Sequence, residues 1–459
     1  MTEPQHLVPP SAVAPAQAPR RFPYAFGRRF FLLLMLGLLW LGPGWSNRRY
    51  LAALILWDAA VVGLWIWDLL RLPLPRQLEV RRVWTSSLQL SLQSCVTLAL
   101  QNSGKTWITA QLFDHIPPRL RSDTSPLEIQ VTKGGTATAQ RIVCPRERGD
   151  AQLGEVSLRY QSAWRLAERW AVAPLGQMVR VYPSLEESKR DSIYLIRSRQ
   201  IVLEKRLKIQ PGQGREFESL REYREGDEGR DICWTATARR AKLISKSYQT
   251  ERSQTVWLVL DTGRLLRTRV AGLSKLDFSV NAALSLAQVA FYSGDRVAML
   301  SYGRRIQQRL PASRGASHMR ALVESLAQTR GEEFEADHLR AAEALLTFQK
   351  RRSLIVWLTD LAETAATPDV IESASQLTRR HLVLFALIGQ PELTSLLAER
   401  PADATAMYRY AAAEEIVQRR EVLLGGLRQR GALTLEVQPA RLSTALVNHY
   451  LAAKERSLI

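Results

Sequence analysis

Hydrophobic and polar positions divide the chain into three stretches of different period. Near the start, two apolar runs, about Phe30–Trp45 and Leu51–Leu70, are separated by Gly42-Pro43-Gly44 and Asn47-Arg48-Arg49. A helix rising ~1.5 Å per residue needs ~20 residues to cross a bilayer. The second run reaches that length and the first falls somewhat short, so residues 22–76 read as a helical hairpin in a membrane. Asp58 and Asp68 oppose this, but Asp68 can sit at the interface and Asp58 can face the partner helix. Gly-Pro-Gly-Trp does not resemble a signal-peptide cleavage site. From 77 to 184 short runs such as LQLSLQSCVTLALQNSG and SPLEIQVTKGGTATAQRIVCP alternate with period two and are broken by turn residues. That pattern predicts antiparallel strands in a small β-sandwich.

Beyond Thr255 strands alternate with helices. TVWLVLD (255–261), DRVAMLSYG (295–303) and SLIVWLTD (353–360) are apolar strands, RRIQQRLPA is an edge strand turning back, and HLVLFALIG and ALTLEV are further strands. Leu273, Leu276, Val280, Leu284, Ala287 and Phe291 mark one face of a helix. MRALVESLAQT and HLRAAEALLTFQ are helical as well. Residues 255–459 therefore read as an α/β domain, a parallel-type sheet covered by helices on both faces.

Between the two folded parts lies a connector, 185–254, that fits neither period. From Arg197 to Lys246 it holds 13 Lys/Arg and 8 Asp/Glu, interspersed, together with Phe217, Tyr223 and Trp234. A solvated loop has no need of those aromatics, and a core element would not carry so many charges. Over the 459 residues, 63 Lys+Arg against 44 Asp+Glu give a net charge of +19. That surplus implies an anionic partner such as lipid headgroups, nucleic acid or an acidic protein face. Part of it flanks the apolar runs: Arg20, Arg21, Arg28 and Arg29 before, Arg71, Arg76, Arg81 and Arg82 after, and only Arg48 and Arg49 between. By the positive-inside rule both termini and the folded domains are cytoplasmic, and the flanking arginines meet the anionic inner leaflet. Cys95, Cys144 and Cys233 lie far apart without metal-ligand spacing and read as reduced thiols. Residues 1–21, rich in Pro, Ala and Gln, read as a disordered tail.

Known catalytic motifs are missing: there is no GxSxG, no GxxxxGK[ST] and no HExxH. His338 and His381 read as structural, and Pro211-Gly212-Gln213-Gly214 precedes charged residues rather than forming a phosphate cradle. Asp261 and Asp360, each closing an apolar strand, are the best-placed polar residues, because open α/β sheets bind ligands at the carboxyl ends of their strands. They can hold a hard cation through oxygen, or simply cap the helices that follow.

One segment carries a family resemblance. Gly214-x-Glu216-Phe217-x-x-Leu220-Arg221-x-Tyr223-x-x-Gly226-Asp227, followed by Arg230-Asp231-Ile232-x-Trp234-x-Ala236-x-Ala238-Arg239, resembles the hallmark of a bacterial membrane-anchored family catalogued as domain of unknown function 58. Members carry a von Willebrand factor A-like domain and commonly accompany MoxR-type AAA+ ATPases; the resemblance extends over roughly 22–459. It implies a Rossmann-type von Willebrand A-like domain from 255 onward. Such domains often hold a metal ion through D-x-S-x-S, a Thr and an Asp. Here the first element is Asp261-Thr262-Gly263-Arg264-Leu265, Ala336 stands near the Thr position beside Asp337, and only Asp360 matches. The site is degenerate: Asp261, Asp337 and Asp360 leave at most weak Mg²⁺ binding, Arg264 partly replaces the cation, and no cofactor is expected. The resemblance implies a non-enzymatic, two-pass inner-membrane adaptor working with a MoxR-type AAA+ ATPase. The signature residues Gly214, Glu216, Phe217, Leu220, Arg221, Tyr223, Gly226, Asp227, Arg230, Asp231, Trp234 and Arg239 then serve as a domain clamp or docking surface, with Arg–carboxylate pairs that lysine could not make. The alternative is a membrane-tethered nucleic-acid binder, motivated by net charge. Interspersed signs and the lack of a nucleic-acid module argue against it.

Overall fold

A computed structural model describes residues 8–19, 23–41, 48–120, 123, 125–184, 216–223, 229, 232–249, 254–361 and 367–456. The chain forms two compact units, Met1–Tyr182 and Pro183–Ile459.

The first unit is built from strands β1 (Ala12–Pro15), β2 (Tyr24–Phe26), β3 (Leu78–Trp84), β4 (Ser94–Asn102), β5 (Ile108–Asp114), β6 (Leu127–Val131), β7 (Thr136–Val143), β8 (Gly149–Leu153), β9 (Val156–Gln161), β10 (Ala167–Ala173) and β11 (Gln177–Val181). Two antiparallel sheets, ordered β1-β3-β4-β7 and β2-β10-β9-β5-β6, share one core; β8 and β11 form a separate pair. Period-two sequence produces this directly: β3 alternates buried and less buried positions along its length. From the two sheets Leu78, Val80, Leu98 and Leu100 meet Ile108, Leu112, Leu158 and Tyr160. Arg82 is wholly buried in that interior, paired with Asp114 and donating 2.8 Å to Leu175 O and 3.1 Å to Gly154 O.

One expectation is corrected here. Part of the predicted tail is strand β1, which runs antiparallel along β3 and buries Ala14 and Ala16. Composition alone suggested disorder because Ala and Pro carry little hydrophobic mass; the gain comes instead from covering an open sheet edge. Of the first apolar run, the described part folds into helix α1 (Arg28–Gly37) and a 3₁₀ turn at Leu38–Trp40, and residues 42–45 lie outside the described residues. The second run, expected at 51–70, forms helix α2 (Arg48–Arg71), whose 24 residues extend ~36 Å. Among the described residues it is the one helix long and apolar enough to cross a membrane, by length and composition. The two helices touch where Gly37 leaves room for Trp57, whose Nε1 donates 2.9 Å to Leu33 O. Asp58 faces α1 at Gly37, as expected for a polar residue in an apolar helix, and its Oδ1 is buried without a hydrogen-bond partner. Asp68 accepts from Ser162 Oγ at 2.5 Å and from the amides of Leu166 and Ala167 at 3.1 and 2.9 Å, which pins the end of α2 to the start of β10.

The second unit opens with a strand–helix–strand element. Strands β12 (Glu216–Glu222) and β13 (Ile244–Gln249) pair antiparallel, with helix α3 (Trp234–Arg240) between them. There follow β14 (Thr255–Asp261), a small hairpin of β15 (Arg269–Val270) and β16 (Leu273–Ser274), helix α4 (Lys275–Tyr292), β17 (Arg296–Tyr302), β18 (Ile306–Ser313), α5 (Ala316–Gln328), α6 (His338–Phe348), β19 (Leu354–Thr359), α7 (Thr367–Thr378), β20 (Leu382–Ile388), α8 (Pro391–Ala398), α9 (Ala404–Gln429), β21 (Leu433–Val437) and α10 (Leu442–Glu455). The main sheet is ordered β18-β17-β14-β19-β20-β21, parallel except for the antiparallel edge strand β18. Every residue of β14 and β19 is buried, as both faces of a central parallel strand demand. Helices α6, α7 and α9 cover Trp257, Val259, Ile355, Trp357, Val383 and Phe385. Helix α4 packs on β14, β17 and α10. The chain passes from β14 to β17 on one side and later returns to β19 on the other, so the strand order reverses at β14 and the carboxyl ends of β14 and β19 meet at that reversal.

Candidate functional site

Parallel pairing of Leu260 with Leu358 sets the ends of β14 and β19 side by side, so Asp261 and Asp360 flank the reversal point. Both are 3% exposed. Their environments differ. Asp261 is held by neutral donors: Thr359 Oγ1 donates 2.6 Å to one oxygen and the Gly263 amide 2.7 Å to the other. Burial pushes the Asp261 carboxyl above its ordinary value, against the pull of His338, the Thr359 hydroxyl and the Gly263 amide, and with a smaller upward push from Asp360.

Asp360 is held by cations. Lys275 Nζ lies 2.5 Å from one oxygen and Arg420 Nη1 3.0 Å from the other, with Lys275 2% and Arg420 8% exposed. Lys275 reaches this point because it is the first residue of α4, whose start is fixed by a reciprocal cap. Ser274 Oγ accepts from the Asp277 amide at 3.1 Å, and Asp277 accepts from the Ser274 amide at 3.2 Å. Arg420 comes from the middle of α9. Its other nitrogens meet Ile388 O at 2.9 Å, at the end of β20, and Glu436 at 2.7 Å, on β21. Lys275 and Arg420 thus hold Asp360 in a buried ion-pair cluster beside Asp261, with the more exposed Glu436 on its outer side. A divalent ion does not fit this donor set, because both oxygens of Asp360 already face positive charge.

Asp337 does not complete a ligand set. It caps α6, accepting from the Arg340 amide at 2.9 Å. Among the described residues no three acidic, His or Cys groups gather where one metal ion could sit. Arg264, expected to stand in for the cation, pairs instead with Glu335 at 2.7 Å on the surface. The cations that face Asp360 are Lys275 and Arg420. His338 is structural: Trp357 Nε1 donates 2.6 Å to Tyr302 Oη, and Tyr302 Oη lies 2.8 Å from His338 Nδ1. Burial lowers the imidazole below its ordinary value and raises the Tyr302 phenol well above its own.

Of the signature residues, Gly214, Gly226, Asp227, Arg230 and Asp231 lie outside the described residues. Glu216, Phe217, Leu220 and Arg221 fall on β12, Leu220 opposite Lys246 and Arg221 opposite Ser245. Tyr223 follows, its amide donating 2.9 Å to Leu243 O. Trp234 opens α3 with 67% of its surface exposed, and Arg239 is exposed on the same helix. The rim of the main sheet presents a second exposed aromatic. Phe334 is 61% exposed between two surface pairs, Arg264–Glu335 at 2.7 Å and Arg267–Glu333 at 3.0 Å.

Sequence reading missed Lys275, Arg420, Glu436, Thr359 and Tyr302. A signal existed for the first alone: Ser274-x-x-Asp277 marks a helix start and puts Lys275 at its first position, beside the strand ends.

Comparison with known proteins agrees with the signature. The model of a family described as Protein of unknown function DUF58 matches residues 219–396. Uncharacterized proteins of Mycobacterium tuberculosis (strain ATCC 25618 / H37Rv) and Mycobacterium bovis are 28% identical over 157 residues, 33% of this chain and 48% of theirs. The matched region therefore spans about half the length of these relatives. Among solved structures, the conserved hypothetical protein BatB of Bacteroides thetaiotaomicron is 12% identical, covering 44% of this chain and 100% of its own, with a TM-score of 0.31. An aerotolerance-related membrane protein of Bacteroides fragilis is 13% identical with the same coverages and TM-score.

Proposed function

We propose that this chain is a membrane-anchored, non-enzymatic interaction adaptor whose soluble part faces the cytoplasm and works with a MoxR-type AAA+ ATPase. In this reading residues 255–459 are a von Willebrand A-like domain that has given up its metal ion. The observation that carries it is the Lys275–Asp360–Arg420 cluster. At the strand ends, where a ligand-binding domain of this architecture keeps an open crevice, this chain holds its acid with two of its own buried cations. Contact with a partner then falls to the rim and to the signature element, which expose Phe334 and Trp234 beside charged residues. Exposed aromatics ringed by ion pairs are what contact hot spots are made of. Anchoring rests on α1 and α2 read as a hairpin, with Arg28 and Arg29 opening α1 and Arg71 ending α2 favouring the cytoplasmic side for both ends.

The test is affinity purification of the detergent-solubilised full chain from its own cell membranes, with and without nucleotide, and mass spectrometry of what is retained. An AAA+ ATPase should be recovered with the wild type and reduced about tenfold or more by Phe334→Ala, a hot-spot-sized loss. Recovery of no such ATPase under either condition would overturn the reading. Arg221→Ala separates the two roles of the signature: a clamp predicts lost stability, a docking site a folded chain that loses its partner.

A further inference from the structure

The first unit contains a basic cavity of about 700 Å³ at the end of α2, in the size range of ligand pockets. Its charged lining comes from three places: Arg71 ends α2, Lys105 lies between β4 and β5, and Lys133 follows β6. Trp107 and Trp164 complete the wall, 45% and 52% exposed. Among the described residues no carboxylate pairs with any of the three cations. The acid in the lining, Asp68, is committed to Ser162, Leu166 and Ala167.

The wall is built rather than incidental. Asn102, wholly buried, donates 2.8 Å to Thr106 O and 3.3 Å to Thr132 O, so one side chain ties together the loops that carry Lys105 and Lys133. Its Oδ1 accepts from the Gly104 amide at 2.9 Å. At Gly104 a Cβ would fall 2.6 Å from Pro73, so the loop can lie against the chain leaving α2 only as glycine. Thr106 Oγ1 donates 3.0 Å to Arg71 O, fastening the same loop to the helix end. The Arg71 guanidinium stacks 3.6 Å over Trp67, which meets Trp164 edge-on at 5.6 Å.

We infer that this cavity binds the phosphate headgroup of an anionic membrane phospholipid. The inference rests on the reading that α2 spans the bilayer. Three unpaired cations select an anion. The apolar surroundings select a lipid over a free anion, since Leu70 and Leu74, 75% and 55% exposed, flank Arg71 along the chain. Tryptophan and arginine at the end of an apolar helix are the residues that sit at headgroup depth. Bound there, the headgroup would fix the depth of α2 and the attitude of the sandwich at the membrane surface.

The test reconstitutes the full chain into phosphatidylcholine vesicles containing brominated phosphatidylglycerol or, at equal mole fraction, brominated phosphatidylcholine, and reads tryptophan quenching. Wild type should be quenched at a lower mole fraction of the anionic lipid. Lys105→Glu with Lys133→Glu should remove that preference, a shift on the order of tenfold or more for two charges near the surface. Arg314→Glu with Arg320→Glu, the same charge change on the second unit, should leave it intact. Equal quenching by the two lipids, or a preference that survives in the Lys105/Lys133 variant, overturns the inference. Loss of the preference on adding inorganic phosphate also overturns it, by making the ligand a free anion. Flotation of the same vesicles after an alkaline wash isolates the underlying reading. A chain that washes off defeats membrane insertion itself, whereas one that floats without lipid preference defeats only the headgroup site.

Discussion

Lys275→Met removes one of the two cations that hold Asp360 and leaves the acid buried. The side chains of Lys275 and Asp360 are each 2% exposed, so solvent offers the orphaned carboxylate little relief. Breaking such a pair from one side costs roughly 3–5 kcal/mol. Arg420 stays 3.0 Å away and carries part of the charge, so the lower end applies: about 3 kcal/mol, roughly a hundredfold in the local opening equilibrium. Adding Asp360→Asn takes the stranded charge away and should recover about 2 kcal/mol, within the coupling expected of groups in contact. Hydrogen exchange followed by mass spectrometry, on peptides covering β14 and β19 in the full chain, reads this locally and does not require the two units to unfold together. Unchanged protection in Lys275→Met would refute the argument, as would an equal cost for Lys275→Met in the Asp360→Asn background. Titrating Mg²⁺ in the same assay adds an independent check: protection of these strands that rises with Mg²⁺ in the wild type would mean that the cations do not occupy the ion's place.

The same reasoning applies in the first unit to Arg82 and Asp114, both side chains fully buried. Arg82→Ala should cost about 3–5 kcal/mol in hydrogen-exchange protection of β3 and β5, and Arg82→Ala with Asp114→Ala should cost less than the single change; a neutral Arg82→Ala would show that the pair holds nothing. His338 predicts an acid-side effect. Its folded value is lowered from 6.5 by burial, although Asp261, Asp369, Asp337 and Glu335 each pull it upward. The stability this group contributes is present above 6.5 and is lost as pH falls from there through the lowered folded value. Asp261, raised from its ordinary 3.8, acts in the opposite sense, losing its contribution as pH rises through its folded value. Between about pH 7.5 and about pH 5.5 protection of α6 should therefore fall, and His338→Asn, which keeps an acceptor for Tyr302, should make that fall shallower. A wild type and variant with the same slope would assign the acid sensitivity elsewhere.

Where sequence period alone decides burial, the fold was legible. TVWLVLD could only be a strand buried on both faces, and it is β14 from Thr255 to Asp261. RRIQQRLPA, polar at alternate positions, was expected as an edge strand turning back, and β18 is the antiparallel edge of the sheet. Reading failed where an element draws its stability from a neighbour rather than from its own composition. Strand β1 has no hydrophobic signature because Ala14 and Ala16 need only be small enough to close over β3.

The candidate site was legible by half, and the half that was missed follows from the charges involved. An acid closing an apolar strand announces itself, because a buried carboxylate is costly and its place at a strand end is fixed by local sequence. What neutralises it does not. Lys275 and Arg420 lie 85 and 60 residues from Asp360, on helices whose remaining residues look ordinary, and in one dimension a basic residue on a helix reads as solvated. A metal-binding domain and one that has internalised its cations therefore present the same strand-end acids, and differ in whether a lysine at a helix start is turned inward. The missing hydroxyls at Gly263 and Leu265 argued only that a metal would be held poorly. What the sequence did not show is that Lys275 and Arg420 place positive charge on both oxygens of Asp360.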